Sequence, residues 1–135
     1  MTSVLDIEGI GEKYAGILKA KAGIRTTETL LKACATPKGR QEVAEKTGIA
    51  PKLILEWANL ADLMRIKGVG EEYSDLLEEA GVDTVKELKM RSPKNLHEKM
   101  AEINHEKNLV RRLPTLHMVE SWVEQAKHLP AVMTY

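Results

Sequence analysis

The sequence predicts an all-α fold built of two similar units, and three observations carry that reading. A phrase occurs twice, as IEGIGEKYAGILKAKAGIRT at residues 7–26 and IKGVGEEYSDLLEEAGVDT at 66–84. Apolar residues recur at the three-and-four spacing that lines one face of a helix. No stretch shows the strict alternation of a half-buried strand. When the copies are aligned, Ile7, Gly9, Gly11, Glu12, Tyr14, Leu18, Gly23 and Thr26 meet Ile66, Gly68, Gly70, Glu71, Tyr73, Leu77, Gly81 and Thr84. One residue is missing between Glu79 and Ala80. Agreement at that density within one chain marks an internal duplication.

The elements follow in order. After Gly11, EKYAGILKAKAG sets Tyr14, Ile17 and Leu18 on one helix face, and Gly23 suits the left-handed residue that ends it. A second helix starts at Thr26, carries Leu30, Leu31 and Cys34, and stops near Thr36. Thr36-Pro37 and Ser92-Pro93 each set a capping hydroxyl before a proline at the first helical position, where no amide donor is needed. A third helix therefore spans about Pro37 to Thr47, closed by Gly48. A fourth begins near Pro51, carries Ile54, Trp57, Ala58 and Ala61 on one stripe, and meets no break before Ile66. In the second copy Thr84 and Glu87 form a candidate capping box. About nine extra residues, around HEKNLVRR, precede the stretch where Glu120-Ser121-Trp122 answers Glu56-Trp57. The expected organisation is a first repeat over 1–64 and a second over 65–135, packed together and linked by a continuous helix near 51–65. Each would hold about four to five short helices. Trp57 and Trp122 are read as core anchors, and Tyr14 and Tyr73 as wedges between helices.

Composition excludes several classes. Apolar residues at 43% and charged residues at 30% fit a globular chain. No apolar run approaches the roughly 20 residues of a membrane span. MTSVLDIEGI lacks the basic start and long apolar stretch of a signal peptide, so a cytoplasmic protein is expected. Cys34 is the single cysteine, which leaves no internal disulfide and reads as a small buried filler. His97, His105, His117 and His128 match no compact ligand spacing, and no metal site is expected. Lys and Arg number 20 against 20 Asp and Glu, an unpromising whole-chain balance for a nucleic-acid binder. The charge is unevenly placed, however. Residues 7–25 hold Lys13, Lys19, Lys21 and Arg25 against Glu8 and Glu12; residues 66–83 hold Lys67 against Glu71, Glu72, Asp75, Glu78, Glu79 and Asp83. Any anion-binding role belongs to the first copy.

Ile7-Glu8-Gly9-Ile10-Gly11 and Ile66-Lys67-Gly68-Val69-Gly70 resemble the helix-hairpin-helix motif, a Gly-apolar-Gly turn between two helices. The layout is similar to the SAM-like and recombinase N-terminal-like helical domains of that superfamily. The tandem arrangement, with LILEWANLADLMRIKGVGEEY and HLPAVMTY, resembles an uncharacterised bacterial family built of this double unit. The hairpin resemblance implies sequence-independent contacts to a DNA backbone through main-chain amides and a nearby basic side chain, and it allows a monovalent cation on the hairpin carbonyls. Carried over by residue, it points to Gly9, Ile10, Gly11 and Lys13, with Lys19, Lys21 and Arg25 alongside, and to Lys67, Gly68, Val69 and Gly70. Glu12 and Glu71 stand where a phosphate would arrive, although an acidic residue there also favours the helix dipole by about 0.3–1 kcal/mol. The second hairpin is therefore read as a packing unit. Base-excision glycosylases of the superfamily are much larger helical enzymes, so this chain is read as a non-enzyme without a cofactor. The leading expectation is a non-catalytic protein making weak nucleic-acid backbone contacts through its first hairpin. The alternative is a protein-interaction adaptor with structural hairpins, in which the acidic face of Glu71–Glu79 meets a basic partner. Arg111 and Arg112 either extend a basic patch or form a solvated turn. Leu129–Tyr135 is expected to pack back on the bundle, with partner binding as its alternative.

Overall fold

The computed structural model describes residues 2–135, and the regular structure among them is helical. A 3-10 turn at Val4–Asp6 precedes α1 (Glu12–Ala22), α2 (Thr27–Cys34), α3 (Pro37–Thr47) and α4 (Pro51–Leu63). They are followed by α5 (Glu71–Glu79), α6 (Val85–Leu88), α7 (Pro93–Lys107) and α8 (Leu116–Lys127). Extended pairing among the described residues is confined to one isolated bridge, Ser3 to Thr26. No described helix is long and apolar enough to cross a membrane. The chain divides into two compact units, one running to Asp62 and taking in Val132–Tyr135, the other Leu63–Ala131.

In the first unit, helix ends are set by local chemistry. Gly23 and Gly48 close α1 and α3 in the left-handed conformation, at φ 68° and 73°. Thr26 and Thr29 make a reciprocal capping box at the start of α2, each hydroxyl accepting the other's amide at 3.1 Å. The Thr36 hydroxyl accepts from Gly39 N–H at 3.0 Å, directly ahead of Pro37. The segment before α1 is pinned to the α1–α2 loop by Val4 N–H to Arg25 O at 3.1 Å and Thr27 N–H to Thr2 O at 2.9 Å. α3 packs on both α1 and α2. The apolar side chains of Leu18, Leu30, Cys34, Ile54 and Trp57 are buried. α4 ends at Leu63, short of the expected run to 65. Ile66 N–H bonds to Leu63 O at 3.1 Å instead, a tight turn that buries Ile66 ahead of the second glycine pair.

In the second unit α5 packs on α7, and α7 and α6 both pack on α8. Their shared core holds Leu63, Leu76, Leu88, Met100 and Trp122. The capping box expected at Thr84 and Glu87 is only half made. The Thr84 hydroxyl accepts from Glu87 N–H at 3.2 Å, but the Glu87 carboxylate faces Arg91, taking bonds from its guanidinium at 2.9 and 3.1 Å. A charged fork one turn on outcompetes a neutral amide for that carboxylate. The extra residues of this copy lengthen α7 and form the loop behind it, which the Asn104 side chain holds through Val110 N–H at 2.9 Å and Val110 O at 3.3 Å.

Both units place an indole under a glycine. Gly9 has φ 93° and Gly68 φ 98°, a region that L side chains rarely enter. A Cβ on Gly9 would lie 3.3 Å from Nε1 of Trp57; one on Gly68 would lie 3.1 Å from Nε1 of Trp122. Tyr14 then packs edge-on against Trp57, with ring centres 5.0 Å apart, and Tyr73 against Trp122 at 5.3 Å. The second glycine of each pair is different. Gly11 and Gly70 are extended, and a Cβ on either meets nothing within 4 Å.

Two outcomes follow from this packing. Gly9→Ala should cost about 1–3 kcal/mol in urea unfolding, because backbone strain and the indole act together. Gly11→Ser should stay within about 0.5 kcal/mol of the parent or exceed it, since serine is at least as good an N-cap as glycine. Burial also pushes the Cys34 thiol up to about 11, against a small opposing attraction from Arg40. Because the folded value lies above the unfolded one, native stability should fall as pH rises from about 9 to about 11. A thiol reagent at pH 8 should label Cys34 only as fast as the unit opens.

Candidate nucleic-acid interface at the first glycine turn

The first turn is built on two buried side chains. Ile7 and Ile10 point into the core, while Glu8, Gly9 and Gly11 are exposed. Ile7 N–H donates to Val4 O at 3.0 Å, and Ile10 N–H to Ile7 O at 3.1 Å. Gly11 then serves as N-cap of α1 without a side-chain acceptor. The first intrahelical bond is Ala15 N–H to Gly11 O at 3.0 Å, which leaves the amides of Glu12, Lys13 and Tyr14 ahead of it. The helix dipole carries its positive end at these amides. Exposed Lys13 stands in this first turn of α1.

The second turn repeats the backbone but adds a clamp. Lys67 N–H donates to Oε1 of Gln125 at 2.9 Å, and Nε2 of Gln125 donates back to Lys67 O at 3.1 Å. Gln125 lies three residues after Trp122; three residues after Trp57 stands Leu60, an apolar side chain with no hydrogen-bonding group. Glu8, which answers Lys67, therefore has no counterpart to this grip. Around the second turn the acidic residues of α5 are partly answered from α7, since Lys107 Nζ meets Glu79 Oε2 at 2.8 Å. Its hydrogen bond to Glu79 and the attraction of that carboxylate raise the ammonium pKa.

Of the four cations singled out near the first turn, two are brought together in one groove. Lys19 and Arg25 line a shared groove of about 280 Å³ with Ser3, Leu5, Ala15 and Gly16. Lys13 lies six residues before Lys19 on the same helix, which turns the two side chains roughly 120° apart. Lys21 is exposed but is not among the residues lining that groove. The surface thus offers Lys13 at the amides, then Lys19 with Arg25 further along α1.

The weaker candidates resolve into ordinary contacts. His97 Nε2 lies 2.8 Å from Pro114 O, and His128 Nε2 lies 3.1 Å from Glu124. Among the described residues no three His, Cys, Asp or Glu side chains gather as metal ligands. Arg111 and Arg112 are exposed, and the carbonyl of Arg112 accepts the Tyr73 hydroxyl at 3.0 Å. Among the carbonyls of the two turns, Ile7 O and Ile66 O accept from Ile10 and Val69. Sequence reasoning missed Gln125, Arg40 and Asn59, three polar side chains held within the fold. The visible signal for Gln125 was the Leu60 to Gln125 exchange at equivalent distances from the two tryptophans. Arg40 and Asn59 carried none.

In family comparisons, the model described as Domain of unknown function (DUF4332) matches residues 8–129. No curated protein and no solved structure matches the chain.

Replacing Gln125 with Leu should release the Lys67 backbone. Its amide should exchange with solvent faster, and the second unit should lose about 1–3 kcal/mol because a main-chain donor and acceptor lose their partner. Exchange at Glu8 should not change.

Proposed function

The chain belongs to the DUF4332 family, and we propose that it acts as a non-catalytic helix-hairpin-helix protein making weak, sequence-independent contacts to a nucleic-acid backbone through its first hairpin. The observation that carries this reading is the unclamped turn at Gly9–Gly11. Amides at the start of α1 have no side-chain cap in competition, exposed Lys13 stands in the same turn, and a Cβ on Gly11 would meet nothing within 4 Å. Main-chain donors at a helix start bind phosphate through hydrogen bonds and the dipole together. They carry no information about bases, so such binding ignores sequence. Lys19 and Arg25 form a second cationic position along α1. Glu8 and Glu12 hold the affinity down. A salt-sensitive, low-affinity grip is what this mixture supports.

A second reading draws on the other unit. Met90 is 66% exposed and shares a groove of about 340 Å³ with Ala80, Arg91 and Lys99 at the far end of acidic α5. An exposed apolar side chain near an acidic helix suits an adaptor whose basic partner segment meets α5 itself, since the groove's own charges, Arg91 and Lys99, are cationic. The two readings use different units and do not exclude each other.

The test is anisotropy with labelled random-sequence DNA. Binding should weaken with salt, with a log–log slope on the order of −3 for three or four phosphate contacts, and should show no preference between unrelated sequences. Lys13→Glu and Gly11→Ser should each lower affinity about 5- to 10-fold, the serine hydroxyl taking an amide that phosphate would use. Gly70→Ser should change nothing. Absence of binding at low salt, or binding indifferent to salt, sinks the proposal.

A further inference from the structure

The last four residues behave as a ligand of the first unit. The second unit ends at Ala131, just after Pro130, whose carbonyl accepts from Arg65 at 2.9 Å, and Val132–Tyr135 then belong to the first unit. Met133 is buried there. Thr134 N–H donates to Ala35 O at 2.8 Å, and Thr134 O accepts from Arg40 Nη2 at 2.8 Å. The Tyr135 hydroxyl donates to Asn59 Oδ1 at 2.8 Å, while its ring lies 5.5 Å from the Arg40 guanidinium carbon.

Part of the receiving side is anchored by the backbone of the first unit itself. Arg40 is 8% exposed, and its Nη1 donates to Cys34 O at 3.0 Å and Ala35 O at 3.1 Å, two carbonyls at the negative end of α2. Asn59 is equally buried on α4. Met133 is 7% exposed, whereas Thr134 and Tyr135 are both exposed, and Tyr135 is held through its hydroxyl rather than by burial of its ring. Main-chain bonds give an extended segment its affinity, and here one buried side chain, Met133, and one bonded tyrosine hydroxyl give selectivity.

We propose that Ala35, Arg40 and Asn59 form a docking site for an extended peptide bearing a long apolar side chain and, two residues on, a tyrosine, and that Val132–Tyr135 is its intramolecular occupant. The tether gives the attached segment a local concentration of about a millimolar, so it excludes free peptide until its own anchors are weakened. This inference is independent of the nucleic-acid reading, since none of its residues lies at the glycine turn.

The test uses the full chain and a fluorescent peptide of sequence LPAVMTY, residues 129–135. A full-length variant carrying Met133→Gly and Tyr135→Ala keeps the receiving residues and weakens the tethered competitor. It should bind the peptide saturably and about 10-fold or more tighter than the parent does. A peptide with the same two changes should not bind. Binding to neither protein, equal binding to both, or equal binding of the altered peptide overturns the proposal. Amide exchange in the unmodified chain guards against a variant that fails to fold: Thr134 N–H should be protected, and exchange at the free-chain rate overturns the site as well.

Discussion

A glycine held in a forbidden region over an indole ring governs the rest of the structure. At Gly9 and at Gly68 the chain must take a positive φ to reverse direction, and the tryptophan of a later helix fills the space a side chain would need. One contact thereby does three things. It sets the direction in which α1 or α5 leaves the turn, it gives the tyrosine three residues past the second glycine an edge to pack against, and it ties the start of each repeat to its closing helix. The indole is large and buried, so the turn cannot shift without opening a cavity beneath it. A rigid turn is also what an amide-based anion site needs, because donors that must first be ordered bind weakly.

Once that contact is fixed twice, the two copies are free to differ around it. At the second turn a glutamine grips the backbone from α8, the neighbouring helix is acidic, and the tyrosine hydroxyl is tied to Arg112. At the first, leucine replaces the glutamine and lysine stands beside the first amides. The backbones are nearly the same, so the difference in function proposed for them rests on a few side chains rather than on fold. Each turn carries two glutamates and one lysine, but at the second both glutamates, Glu71 and Glu72, stand at the helix start, whereas at the first Glu12 is followed there by Lys13 and the other glutamate is Glu8.

Much of this was legible because it is local. Caps at Thr26, Thr36 and Ser92 and left-handed closures at Gly23 and Gly48 depend on residues a few positions apart, and helical periodicity told the buried faces from the exposed ones. The core roles of Trp57, Trp122 and Cys34 follow from the same stripes. What escaped was non-local or competitive. Glu87 had two partners within reach and took Arg91; Gln125 meets Lys67 across 58 positions. Arg40 lies on a polar helix where periodicity predicts exposure, yet it is buried by carbonyls of α2 and a segment 94 residues away. The basic cluster was legible as a count but not as a patch, because six residues of helix separate Lys13 from Lys19.

Gly11 and Gly70 show where the weight of the functional argument falls. Neither glycine is required by dihedral angle or by space, and a serine would cap either helix at least as well. It is tempting to read that absence of need as the mark of a ligand site. Gly70 argues against doing so, since it is just as unneeded in a copy whose turn is clamped and whose helix start is doubly acidic. Glycine at an N-cap costs only a few tenths of a kcal/mol relative to serine, too little to demand an explanation. What separates the two turns is the free backbone of Glu8 against the gripped backbone of Lys67, together with Lys13 in place of Glu72. Those differences, not the glycines that the two copies share, set the first turn apart.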